Sequence, residues 1–339
     1  DNAAIPLPSR VNAILPLAAD SLLVGTARHG LFVLYRGKVV GHYHQGNAPW
    51  LRDNCIYALF QDAARRIIVG TWRGVSILRP DGSGIHLEGK AIKALETMQV
   101  SAIMQHDPAG LWLGTKESGI IRLTGDVGQP ATLRYRQYST LAGSDFKTLN
   151  IYRLLPDRQG RIWACSQEAG LMLYDAQQDG FSNVGSQYGI PDDDMFSLEE
   201  ASDGSLWVAS RHHLVCLALT PEGEVSDLRF FARKDVIDSD HFGAGHSTVS
   251  PSGELCFAGQ YAFATFRPAD IPRQQRHQQA IITDIKLNGH SIEPLPAQQL
   301  TLQPAQRDLT IEFSSLDFRD IDGSRYAYML DGLDREWHY

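Results

Sequence analysis

Six short polar segments recur along the chain at nearly even spacing: Arg28-His29, Trp72-Arg73, Lys116-Glu117, Gln167-Glu168, Arg211-His212-His213 and Gln260-Tyr261. Their residue types suit recognition of a polar or anionic molecule. Guanidinium and ammonium groups pair with carboxylate or sulfate, and an indole or phenol ring stacks on a sugar face. The flanks of these segments stay constant while the segments vary, as on a common scaffold that presents different side chains. The candidate ligand contacts are therefore Arg28, His29, Trp72, Arg73, Lys116, Gln167, Arg211, His212 and Tyr261. A second reading stands beside this one: tight turns favour polar residues whatever their task.

Other chemistry finds less support. The chain has no GxSxG, no HExxH and no P-loop. Gly243-Ala244-Gly245, between His241 and His246, neither follows a strand nor opens a helix, so it reads poorly as a phosphate cradle. Asp192-Asp193-Asp194 with Glu199 and Glu200 lacks calcium-loop spacing and reads as a solvated acidic loop. His212 and His213 are adjacent, so their side chains diverge rather than share a metal. Asp331, Asp334 and Glu336 resemble paired glycosidase carboxylates only in type, and their context is turn-like. We expect no catalytic residue, no metal and no cofactor. Cys55, Cys165, Cys216 and Cys256 form no CxxC pair and read as buried small residues, which leaves disulfides and redox compartment undecided.

The polar segments sit inside a longer repeat. Its best copy is VSAIMQHDPAGLWLGTKESGIIRL, Val100 to Leu123, and five more copies begin near Val11, Asn54, Asn150, Met195 and Gly245. The slot of Trp112 is filled elsewhere by Leu23, Ile68, Trp163, Trp207 and Cys256, at steps of 45, 44, 51, 44 and 49 residues. A period of about 45 fits either a two-helix solenoid or a four-stranded propeller blade. The local pattern chooses the blade, because the apolar runs are short, alternating or β-branched and are cut by Gly-containing turns. In strand order A to D, the polar segments fall on the B–C turns. An up-and-down blade places its B–C turns and its D–A connections on one face of the ring, around the channel mouth. The Trp slot accepts Leu, Ile and Cys, so it reads as a packing position between blades.

The expected fold is all-β. Residues 1–266 form a β-propeller of six recognisable four-stranded blades, with a seven-bladed ring as the complete alternative. Residues 267–280 read as a linker, and 281–339 as an incomplete Ig-like unit of alternating strands. Pro6 and Pro8 and the lack of a strand pattern predict that residues 1–10 give no outer strand to the last blade. A net charge of −8 argues against nucleic-acid partners. No run of eighteen apolar residues predicts a membrane span, so any membrane link would run through segments outside these residues.

The repeats, together with Tyr326-Ala-Tyr-Met-Leu-Asp-Gly-Leu-Asp-Arg-Glu-Trp337, resemble the two-component regulator propeller and the Y-Y-Y domain that follows it. The resemblance spans nearly the whole chain. It implies the periplasmic sensor region of an inner-membrane receptor, working as a homodimer, with a histidine kinase (sometimes hybrid) as output. The alternatives are a diguanylate cyclase receptor and a propeller polysaccharide lyase or hydrolase. The ligand so implied is an oligosaccharide or another small polar molecule. Six copies are fewer than the family usually carries, so the resemblance also implies a fragment of a longer receptor.

Overall fold

The computed structural model describes residues 7–18, 20–85, 89–107, 110–139, 150–185, 187–190, 194–237, 241–259, 262–271, 280–292, 300–302, 308–314, 326–330, 332 and 334. The chain divides into two compact units, Asp1–Pro268 and Ala269–Tyr339.

The first unit is a row of antiparallel meanders, the sheets of a β-propeller. Blade 1 is β1 (Val11–Ala18), β2 (Ser21–Thr26), β3 (Leu31–Tyr35) and β4 (Lys38–Tyr43). Blade 2 is β5 (Ile56–Gln61), β6 (Ile67–Thr71), β7 (Gly74–Leu78) and β8 (Gly84–Ile85), followed by a short helix α1 (Lys90–Leu95). Blade 3 is β9 (Gln99–Asp107), β10 (Gly110–Lys116), β11 (Ile120–Thr124) and β12 (Arg134–Tyr138). Blade 4 is β13 (Asn150–Pro156), β14 (Ile162–Gln167), β15 (Gly170–Asp175) and β16 (Gly180–Asn183). Blade 5 is β17 (Met195–Glu200), β18 (Leu206–Ser210), β19 (His213–Leu219) and β20 (Val225–Ala232), with a one-turn helix α2 (Arg233–Val236) after it. Blade 6 is β21 (Phe242–Val249), β22 (Leu255–Gly259) and β23 (Phe263–Phe266), three strands among the described residues rather than the expected four. Residues 7–10 form no strand. In each blade the strands run A to D in chain order, and successive A strands pack on one another.

The repeat register holds. Leu23, Ile68, Trp163 and Trp207 are fully buried and Trp112 is 1% exposed. Each sits in strand B, paired on both sides in its sheet. The indole of Trp112 lies 5.0 Å from Tyr174 and 5.8 Å from Phe181 of the next blade. That of Trp207 lies 4.8 Å from Phe266. These side chains fill the wedge between sheets, where burial of large apolar area is worth about 25 cal/mol per Å². Arginines lie over the indoles, with Arg122 5.1 Å from Trp112, Arg161 5.6 Å from Trp163 and Arg229 5.9 Å from Trp207.

Packing changes where blade 6 meets blade 1. Phe263 is 72% exposed, whereas its counterparts Leu31, Ile120, Leu171 and Leu214 are at most 1% exposed. Ile14 is 60% exposed, against 4% for Leu154 and 0% for Leu198 in the same slot.

The second unit shows one antiparallel sheet in the order β25 (His290–Ser291), β24 (Ile281–Leu287), β26 (Leu309–Ser314). Tyr326 packs edge-on against Phe313, 5.4 Å away. Asp331 and Glu336 lie outside the described residues. Asp334 accepts a bond from the Leu330 backbone at 2.7 Å, which gives it a turn-forming role.

Candidate functional site

The described B–C turns, those of blades 1 to 5, stand at the same end of their sheets. In every blade the A strand begins opposite the end of strand B: Val11 pairs with Thr26, Ile56 with Thr71, Gln99 with Lys116, Asn150 with Gln167 and Met195 with Ser210. Each B–C turn therefore stands above the start of its own inner strand.

The repeat also explains why these turns are stiff. Strand B ends in a buried hydroxyl that bonds back onto the turn. Thr26 Oγ1 donates to the Gly30 carbonyl at 2.9 Å, Thr71 to Gly74 at 2.9 Å, Thr115 to Gly119 at 2.7 Å and Ser210 to His213 at 3.1 Å. The turn backbone answers, with His29 N and Arg73 N donating to the same threonine oxygens at 3.0 and 3.1 Å. Gly119 has φ +74, and a Cβ there would lie 2.2 Å from the Tyr138 carbonyl, so only glycine closes that turn.

On this platform Arg28, His29, Trp72, Arg73, Lys116, Arg211 and His212 are exposed. Lys116 and Gln167 are the last residues of β10 and β14 rather than turn residues. His213 does not belong to the turn group, because it opens β19 and is 5% exposed, edge-on to Phe230. Arg211 is held by Asp194 at 2.5 Å, a pairing across the D–A connection that local spacing did not suggest. Gln167 accepts a bond from the Tyr152 hydroxyl at 2.6 Å. Tyr261 and Gln260 lie outside the described residues, as do Asp192 and Asp193.

The structure adds side chains that the turn pattern missed. In five A strands one residue is squeezed out of the ladder at the same slot: Asn12, Tyr57, Ser101, Tyr152 and Phe196. Such a β-bulge re-aims its side chain. The Tyr57 ring lies 6.1 Å from Trp72, and Lys116 Nζ is 5.9 Å from its centroid. Tyr152 stacks on Phe196 at 6.0 Å, and Phe196 neighbours His241 at 6.2 Å. Burial raises the Tyr57 phenol above its usual value, as do Cys55 and Asp53, while the charge of Arg10 opposes them. Blade 6 departs furthest, since residues 243–246 all stand opposite Ala258. This wide bulge carries Gly245, φ +72, so close to blade 4 that a Cβ would lie 2.6 Å from the Tyr152 carbonyl. The GAG run thus serves close backbone approach rather than phosphate binding.

The opposite face carries the A–B and C–D turns, and three of its arginines are paired with carboxylates, whereas Lys38 and Arg65 there are exposed and make no ion pair among the described residues. Arg66 bridges Asp62 and Asp126, both at 2.7 Å, beside a cavity of about 300 Å³ lined partly by Ile68 and Leu111. Asp157 accepts from Arg161 at 2.6 Å and from the Trp163 indole N–H at 2.8 Å. Asp179 accepts from the hydroxyls of Tyr138 and Tyr174 at 2.8 and 2.6 Å and pairs with Arg136. The two tyrosine bonds hold its carboxyl below the usual carboxylate range.

Among the described residues no group of three or more His, Cys, Asp or Glu is placed to hold a metal ion. No helix among them is long and apolar enough to cross a membrane. All four cysteines are free, and burial pushes the Cys165 thiol well above its usual range.

No family model matches the chain. It is 20% identical over 267 residues to histidine kinase P4 of Formosa agariphila, covering 74% of this chain and 19% of that protein. Its structure is similar to the extracellular domain of BT3049 of B. thetaiotaomicron, described as a hybrid two-component system. The TM-score there is 0.58 at 18% identity, over 98% of this chain and 50% of that one. Virginiamycin B lyase of Staphylococcus aureus follows with a TM-score of 0.56 at 11% identity, over 77% of this chain and 82% of that one. The chain thus spans about half the length of the extracellular domain and about a fifth of the kinase. These likenesses establish the fold: a β-propeller followed by a smaller β unit.

Proposed function

We propose that this chain is the extracytoplasmic sensor region of a hybrid two-component histidine kinase. In this reading the B–C turn face of its propeller binds a polar oligosaccharide, with acidic sugars preferred. Binding shifts the packing of a receptor homodimer in the periplasm and so biases the output domain across the membrane. The likeness to an extracellular domain over 98% of the chain supports the sensor role. One observation carries the ligand class. Arg28 and Arg73 on hydroxyl-locked turns and Lys116 at the end of β10 stand exposed and make no ion pair among the described residues, with the half-exposed indole of Trp72 beside Arg73.

Calorimetric titration of the purified protein with neutral and uronate-containing oligosaccharides tests this. The expected result is binding that favours the uronates and weakens from low to physiological salt, because screening acts strongly on exposed charges. Equal affinity for both classes, or an affinity indifferent to salt, would remove the acidic preference. Release of a cleaved product on incubation would instead favour an enzyme such as a lyase or hydrolase.

A further inference from the structure

The repeated bulge is the feature that turn chemistry does not account for. A register offset kept at one slot through five A strands takes one side chain per blade out of the ladder: Asn12 and Ser101 spend theirs on the next blade, donating to the Ile56 and Ile151 carbonyls at 2.9 and 2.5 Å, while the aromatic members fall on two separate sides. On the side of blades 1 to 3, Tyr57 meets Trp72, and Lys116 stands over its ring. Arg10 completes this side. Its carbonyl accepts from Ala27 of the first B–C turn at 2.9 Å, and its guanidinium donates to Asn12 at 3.1 Å. Its charge is felt by both the Tyr57 phenol and the His246 ring. Neither Arg10 nor Lys116 forms an ion pair among the described residues.

The side of blades 4 and 5 has the same residue types in another electrostatic state. Arg211 is committed to Asp194, and Arg153 to Glu199 at 2.6 Å, with Ser247 of blade 6 bonding the same carboxylate at 2.8 Å. Glu168 stands exposed beside Gln167. The stacked pair of Tyr152 and Phe196 is thus flanked by ion pairs whose charges cancel. An anion placed there finds both of these arginines already committed, whereas an uncharged sugar ring meets two aromatic side chains.

Resting on the oligosaccharide reading above, we propose that the aromatic bulge residues form a directional two-part site. An acidic sugar residue lies against Tyr57 between Arg10 and Lys116, and a neutral sugar residue stacks on Tyr152 and Phe196. The mouth then reads the order of charge along a saccharide as well as its presence.

The test compares trigalacturonate with its fully methyl-esterified form by calorimetry on the parent protein and on four variants, at Arg10, Tyr152 and Arg73. The parent should prefer the acid by about tenfold or more, the span of one charged hydrogen bond. Arg10→Ala should lose most of that preference while its affinity for the ester stays unchanged, and Arg10→Lys should keep it. Tyr152→Ala should weaken both sugars by the same factor. If it melts well below the parent, Tyr152→Phe, which drops only the hydroxyl bond to Gln167, takes its place and should weaken both sugars less. Should Arg10→Ala and the Tyr152 variants bind both sugars as the parent does while Arg73→Ala still weakens binding, the two-part site falls and the turn-face reading stands. Should the parent bind neither sugar, both fall.

Discussion

The two faces of the propeller unit draw on the same charged residues and use them differently. On the A–B and C–D face the arginines packed against the sheets are spent on a neighbour, Arg66 on Asp62 and Asp126, Arg161 on Asp157 and Arg136 on Asp179, while Lys38 and Arg65 at its rim make no ion pair among the described residues. On the B–C face Arg10, Arg28, Arg73 and Lys116 are left without an ion pair among the described residues, while Arg211 and Arg153 opposite them are neutralised. Paired charges next to a packed core lock turns together. Unpaired charges on stiff turns stabilise nothing and are available to a ligand. The difference teaches that a propeller can build its framework at one end and its recognition chemistry at the other with one repeat.

Removing what both faces share should have the largest effect. Trp163→Ala empties a fully buried wedge position and should destabilise the fold by about 3–5 kcal/mol in chemical denaturation. A loss of less than about 1 kcal/mol would mean that the wedge is not packed as described. Next comes the framework face. Asp157→Ala strands the Arg161 guanidinium and the Trp163 N–H together and should cost about 3 kcal/mol of stability. It should leave ligand binding untouched. The mouth should behave in the opposite way. Arg73→Ala should weaken binding of an acidic oligosaccharide by about 1.5–3 kcal/mol while changing stability by no more than about 0.5 kcal/mol. Arg211→Ala, already neutralised, should weaken binding less than Arg73→Ala; equal effects would erase the contrast between the two sides of the mouth.

The smallest effect is one of pH. His246 is exposed as a whole residue, yet desolvation of its ring by its neighbours, aided by the charge of Arg10, lowers its pKa below the ordinary 6.5. The unfolded chain therefore binds more protons than the folded one as pH falls past 6.5, so stability present above that value is lost on acidification. Melting temperatures followed from pH 7.5 to 5 should show this loss in the parent and a flatter profile in His246→Gln. Identical profiles would mean that His246 is not held neutral at the seam between the first and last blades.

Much of this framework was legible in the sequence because it rests on period-two patterning and one packing slot. The interval from Leu23 to Trp207 places strand B in five blades, and the copy from Val100 to Leu123 contains most of β9, all of β10 and nearly all of β11. The turn face follows from the same register. The bulges did not follow, because a bulge is an offset between paired strands and a single strand does not display it. A signal was present nonetheless: the slot of Asn12, Tyr57, Ser101, Tyr152 and Phe196 varies beside a column of Val, Ile and Met, much as the turns vary beside their flanks. Arg10 precedes the first copy, so no column marks it. The neutralisation of Arg211 by Asp194 links residues 17 positions apart across a connection of irregular length, which repeat alignment does not resolve. The fourth strand expected in blade 6 has no counterpart among the described residues after Phe266, where Pro268 opens a short 3₁₀ turn.

Hydrogen exchange with and without a saturating oligogalacturonide tests the division of labour between the faces most directly. Peptides covering the B–C turns near Arg28, Trp72 and Lys116, and the bulges at Tyr57 and Tyr152, should slow on binding. Those covering the A–B turns at 62–66 and 157–161 should exchange as before. Protection confined to the A–B turns, or to the second unit, with the B–C turns unchanged would contradict the account.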